Sequence, residues 1–87
     1  MTNYQILFNI EGISRGLHRY GAYATRIITA ETLEEAIDSG IQDLNIELVE
    51  NGFRIEADLQ ISVDSWCKCE TQLTDKLPKG FTYYKSP

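Results

Sequence analysis

Hydrophobic and polar residues alternate without interruption over residues 53–63: Phe53, Ile55, Ala57, Leu59, Ile61 and Val63 interleave with Arg54, Glu56, Asp58, Gln60 and Ser62. A period of two sustained over this length predicts a long β-strand with one dry and one wet face. Asn51-Gly52 stands directly before it. That dipeptide tolerates positive φ at both centres of a two-residue loop, so the pattern predicts a hairpin whose partner strand is residues 45–50. In that register Leu48 faces Ile55 and Ile46 faces Ala57 on the dry side, and Glu47 faces Glu56 on the wet side beside Asp58. Directly opposed carboxylates are mildly unfavourable, so a chain that keeps them either solvates them or offers them to a partner.

The same alternation marks residues 4–10, where Tyr4, Ile6, Phe8 and Ile10 interleave with Gln5, Leu7 and Asn9, a strand whose second face is partly apolar. Residues 11–22 follow with Gly12, Gly16 and Gly21 among Arg15, His18, Arg19 and Tyr20. Glycine-rich and aperiodic, this stretch predicts a long mobile loop. Residues 23–30, with β-branched Thr25, Ile27, Ile28 and Thr29, return to a strand. Thr32 and Glu35 then have capping-box spacing, and Leu33, Ala36, Ile37, Gly40, Ile41 and Leu44 gather on one side of a helix opposite Glu34, Glu35, Asp38, Ser39 and Gln42. Gly40 inside the apolar stripe points to close approach to a strand or to early fraying.

After Val63 two registers compete: a turn of Asp64-Ser65 alone would set Lys68 opposite Ile61 on the dry side, whereas the favoured three-residue loop, Asp64-Ser65-Trp66, keeps that charge out of the core. The next strand then places Cys67, Cys69 and Thr71 on the dry face and Lys68, Glu70 and Gln72 on the wet one. A breaker over residues 76–80, a short edge strand over 81–84 and a loose end over 85–87 complete the chain. The fold class is α+β: one amphipathic helix on one face of an antiparallel sheet of about five strands, ββαβββ-like, in a single domain over 1–87.

Composition narrows the function classes. At 87 residues the chain supports one core. It carries no signal-peptide pattern and no apolar run long enough to cross a membrane, so the expectation is a cytoplasmic protein without membrane contact. The charge is uneven: residues 1–30 hold one acid against three bases, residues 31–64 ten acids against one base, and residues 65–87 two acids against four bases. A body this acidic argues against direct nucleic-acid binding and favours a positively charged protein partner.

Three sets of residues carry candidate chemistry. The acidic surface comprises Glu47, Glu56 and Asp58 outside the sheet and Glu34, Glu35 and Asp38 outside the helix, with Trp66 as an aromatic anchor at the margin. The basic glycine-rich stretch 12–26 offers Arg15, His18, Arg19, Tyr20 and Arg26, residue types that hold phosphates and stack on rings. Cys67 and Cys69 are two small residues expected in the core; with His18 far off in the sequence they complete neither a zinc site nor a nucleophilic pair, so neither metal nor cofactor is expected. The expectation that follows is a small non-catalytic protein-interaction module. It would act in the style of phage- or mobile-element-encoded inhibitors, presenting acidic surface to a basic or nucleic-acid-handling protein. A small-ligand or nucleotide binder using the basic stretch, and a small enzyme or enzyme subunit, are the alternatives. One helix does not cover so long a sheet, which also raises a homodimer.

Overall fold

The glycine-rich stretch is not a loop. In the computed structural model, which describes residues 1–69 and 81–85, β1 (Thr2–Arg15) and β2 (His18–Ala30) pair along their whole length, from Thr2 opposite Ala30 to Arg15 opposite His18. The connection is two residues, Gly16-Leu17, with Gly16 at φ 64°. Positive φ at the first centre of a two-residue loop matches the right-handed twist of the strands it joins. At the other two glycines a neighbour leaves no room for a side chain, and Gly12 also has φ 91°. A Cβ on Gly21 would lie 2.2 Å from Cζ of Tyr84, whose ring covers it, and a Cβ on Gly12 would lie 2.7 Å from Cα of Leu59.

The helix α1 (Leu33–Glu50) begins as the capping pattern predicts: Thr32 is the N-cap, and its hydroxyl accepts the Glu35 N–H at 3.2 Å. It runs six residues beyond the periodic stripe and takes in residues 45–50, which the alternation assigned to a strand. Asn51-Gly52 is accordingly a helix terminator. The Gly52 N–H donates to the Val49 carbonyl and the Phe53 N–H to the Leu48 carbonyl, both at 3.0 Å, and Gly52 has φ 85°. That pair of bonds around a left-handed glycine is the Schellman motif, and the buried side chains of Leu48 and Phe53 are at its two ends, where an apolar contact ordinarily accompanies it. Asn51 itself has φ −84°, outside the region a two-residue hairpin centre of this kind needs.

The strand that follows, β3 (Arg54–Cys69), therefore has no hairpin partner immediately before it in sequence. It pairs antiparallel with β1, from Ser14 opposite Arg54 to Asn3 opposite Cys69. The loop expected at residues 64–66 is strand: Val63 faces Phe8 and Ser65 faces Leu7, so Asp64 is the extra residue of a bulge. One inserted residue exchanges the two faces for everything beyond it. Trp66 thus turns to the helix-covered side opposite Ile6, and Cys67 and Cys69, expected in the core, turn to the uncovered side opposite Gln5 and Asn3. A second irregularity lies where Glu11 faces Gln60 but Ile13 faces Ile55, so residues 56–59 bow out over Gly12.

The edge strand expected near residue 81 is present as β4 (Phe81–Lys85), paired with residues 20–24 of β2. The sheet has the order β3-β1-β2-β4, four antiparallel strands among the described residues where about five were expected, with α1 on one face. Expectations for Glu70, Thr71, Gln72, the breaker over 76–80 and the last two residues lie outside the described residues.

The core centres on β1. Tyr4, Ile6, Phe8, Ile10 and Ile13 are buried together with Ala22 and Ala24 of β2, Ala36, Leu44 and Leu48 of α1, and Phe53. The alternating stretch that dominates the sequence is an edge strand: Ile55, Leu59, Ile61 and Val63 are half-buried and Ala57 is exposed. Gly40 does bring α1 close to the sheet, since a Cβ there would lie 2.5 Å from Cζ of Phe8 and 2.7 Å from Cδ1 of Ile28. No helix among the described residues is long and apolar enough to cross a membrane.

Candidate functional site: the charged surfaces

The acidic and basic sets, treated as rival sites by the sequence, meet each other at two points. Because the glycine-rich stretch is a hairpin next to both α1 and β3, its arginines reach acids from the centre of the chain. Arg19 pairs with Asp58 at 2.7 Å, and Arg26 pairs with Glu47 at 2.9 Å while its guanidinium lies over the Phe81 ring at 5.1 Å. Arg15 donates to the Asn51 carbonyl at the end of α1 and covers the Phe53 ring at 4.1 Å. His18 stands edge-on to Tyr20, which stands edge-on to Phe53.

A physical need explains this arrangement. The C-terminal end of a helix carries partial negative charge and unpaired carbonyls, which a cation ordinarily offsets. The last turn of α1 has no basic residue and contains Glu47 and Glu50. Arg15 and Arg26 supply the missing positive charge from across the fold. The predicted wet-face cluster of Glu47, Glu56 and Asp58 is not formed. Glu47 is on α1, Glu56 accepts the hydroxyl of buried Ser14 at 2.5 Å, and Asp58 is held by Arg19. The hydrogen bond from Arg19 keeps the Asp58 carboxyl below the ordinary carboxylate range against a smaller opposing effect of desolvation, and the same bond raises the Arg19 guanidinium.

Aromatic side chains close the end of the core between these arginines. Phe53 and Tyr83 stack with centroids 4.9 Å apart, and Tyr83 and Phe81 stack at 5.6 Å. Burial holds the Tyr83 phenol above its ordinary value. On the opposite face Tyr84 lies over Gly21 and donates to Asn9 Oδ1 at 3.0 Å; burial, then Glu11 and Tyr23, raise its phenol as well. This Arg-aromatic array is a packing device, and no sequence periodicity announces it because its members come from β1, β2, β4 and the residue after the helix cap.

Trp66, the expected anchor, is 47% exposed on β3 and meets Tyr4 edge-on at 6.1 Å. The cysteines are unpaired, Cys67 exposed and Cys69 half-buried with its thiol 3.6 Å from Gln5 Oε1. Desolvation and the neighbouring Cys67 push the Cys69 thiol up, the reverse of an activated nucleophile. Among the described residues no group of three or more His, Cys, Asp or Glu side chains is placed to hold a metal ion.

What remains uncommitted is the outer side of α1. Its eighteen residues carry six acids and no base, Glu34, Glu35, Asp38, Asp43, Glu47 and Glu50. Among the described residues Glu47 is the one acid of the helix in an ion pair. Glu34, Glu35 and Asp38 are exposed along the first half, and Ile46 and Val49 are 58% and 60% exposed along the second. The site residues expected on the helix thus share one surface, which those expected on the sheet do not join. No family model, no curated protein and no solved structure matches this chain.

Proposed function

We propose that the protein is a non-catalytic docking module that binds a basic protein surface through the outer side of α1. The observation that carries this reading is the single sign of charge on α1, six acids without a base. Among the described residues Glu47 is the one acid of α1 in an ion pair, and Asp58 on the sheet is neutralised through the hairpin. Exposed Ile46 and Val49 beside these acids give the surface the mixed apolar and charged character of a protein interface. A partner whose basic surface otherwise holds nucleic acid would be blocked by such a module, which is the inhibitory version of the same reading.

The basic stretch is the weaker support for a ligand site, because Arg15, Arg19 and Arg26 already serve the helix end and β3. The test uses immobilised poly-L-lysine and basic proteins captured from lysate as probes, with the triple variant Glu34→Lys, Glu35→Lys, Asp38→Lys as control. The expected result is retention that falls steeply between about 0.05 and 0.5 M salt and is lost in the variant, because exposed charges are screened over that range. Retention that ignores both salt and the variant overturns the proposal.

A further inference from the structure

Free cysteine is ordinarily a core residue, yet β3 carries Cys67 exposed and Cys69 half-buried on the side of the sheet opposite α1. The bulge at Asp64 puts them there. With Asp64 paired instead of bulged, the alternation of β3 would send both thiols to the helix-covered side, and bulges commonly serve to re-aim side chains. Cys67 faces Gln5 and Cys69 faces Asn3 on β1, so the thiols are neighbours on one face of a paired strand. The Cys69 thiol lies 3.6 Å from Gln5 Oε1. Desolvation, then the charge and the hydrogen bond of Cys67, hold the Cys69 thiol above its ordinary value, so the two sulfurs are within reach of each other.

Their spacing suits a bridging ion better than a disulfide. Residues two apart on a strand have parallel Cβ directions and Cα atoms about 6.6 Å apart, whereas a disulfide needs Cβ atoms about 3.5–4.5 Å apart. An ion with two thiolate bonds of about 2.3 Å, the zinc-to-sulfur length, spans sulfurs up to about 4.6 Å apart, which side-chain rotation alone supplies. The donor set then selects the ion. The chain has no other cysteine and a single histidine, His18, at the far end of the β1–β2 ladder opposite Arg15. Among the described residues no third His, Cys, Asp or Glu joins the pair. Structural zinc fills four positions, whereas two thiolates alone suit a soft monovalent cation such as Cu(I).

We propose that Cys67 and Cys69 form a two-thiolate site for a soft monovalent cation of the Cu(I) class. Binding forms a metal-sulfur bond at each cysteine and releases both thiol protons to solvent, with no change in oxidation state. The site is independent of the docking surface on α1.

The probe is Cu(I) itself, held anaerobically by bicinchoninate and titrated against the reduced protein. The chain is expected to withdraw one equivalent, with release of acid and with amide shifts centred on residues 3–5 and 67–69. Cys67→Ser and Cys69→Ser should each weaken binding by more than the ~10–100-fold that loss of a supporting residue costs. Because Cys67 is exposed, C67S should fold like the parent, which its melting temperature checks. Zn(II) should compete only weakly. Failure to withdraw Cu(I), uptake undiminished in C67S, or Zn(II) held as tightly as Cu(I) each overturns the site. Ready oxidation by glutathione disulfide in a chain that takes up no Cu(I) also overturns it, and makes the pair a redox couple instead.

Discussion

At the scale of single residues, the chain resolves apparent liabilities by pairing them with one another. Asp58 illustrates how. Its carboxyl is held low chiefly by the hydrogen bond from Arg19. A group depressed in the folded state adds stability above its ordinary range, and that contribution disappears as pH falls through the lowered value. Arg19→Ala should therefore raise the Asp58 titration toward the ordinary carboxylate range, read from its carboxyl carbon shift, and should blunt the acid limb of the stability profile. An unchanged Asp58 titration would mean that the pair does not persist in solution. Gly40 makes a second residue-scale case, with two opposing effects of known size. Alanine gains about 1 kcal/mol of helix propensity, but its Cβ meets Phe8 and Ile28 at 2.5 and 2.7 Å in a packed core, where overpacking costs about 1–3 kcal/mol. The collision involves the ring of Phe8, itself fully buried, so the loss should prevail. Gly40→Ala is expected to lower the unfolding free energy, read by chemical denaturation, by a net of up to ~2 kcal/mol; a stabilised variant would show that α1 stands off the sheet.

At the scale of elements, the sequence shows where strands and the helix begin more clearly than what they join. The β1 alternation, the Thr32 cap, the β-branched half of β2 and the late edge strand are each local patterns, and each has its counterpart in the fold. The errors share one origin: a local signal with two physical solutions, decided by contacts distant in sequence. Asn51-Gly52 serves a hairpin or a helix end equally well, and residues 45–50 alternate in Ile46, Leu48 and Glu50 while also placing Leu44 and Leu48 one turn apart on the core side. Leu48 burial against β1 and Phe53 favours the helix. The glycines of the first hairpin misled similarly, since Gly21 answers to Tyr84 and Gly12 to Leu59, partners sixty-three and forty-seven positions away. For the candidate site, Glu34, Glu35 and Asp38 were legible as the outer side of a helix because the 3.6-residue period sets them opposite the apolar stripe, whereas the alternation over 45–50 assigned Glu47 and Glu50 to a strand. The neutralisation of Asp58 and Glu47 was not legible, because it requires knowing that β2 lies beside them. The two solutions at Asn51-Gly52 make different predictions. In the Schellman cap only Gly52 has positive φ. Gly52→Ala should then cost about 1–2 kcal/mol, while Asn51→Ala should cost less, losing only the side-chain bond from Nδ2 to the Glu47 carbonyl. Equal losses at both positions, measured by chemical denaturation, would restore the hairpin.

At the scale of the whole molecule, the longest alternating stretch of the sequence, in β3, borders solvent, and the way its edge is kept from pairing follows from its irregularities. A long edge strand presents backbone groups that can recruit another copy, and proteins blunt such edges with bulges and charges. β3 has both: the bowed segment 56–59, with Asp58 tied to Arg19, and the bulge at Asp64. Deleting Asp64 tests that protection. In the bulged strand the deletion restores a regular ladder between Val63 opposite Phe8 and Ser65 opposite Leu7, and it leaves Trp66 and the cysteines on their present faces. The deletion variant should consequently melt close to the parent. Its straighter, less charged edge should also give a mass that rises with concentration in light scattering more than the parent's does. A variant that unfolds would overturn the register of β3. One that folds but gains no tendency to associate would shift the protection of this edge to the bow at residues 56–59, where Asp58→Thr combined with Arg19→Thr is the corresponding test.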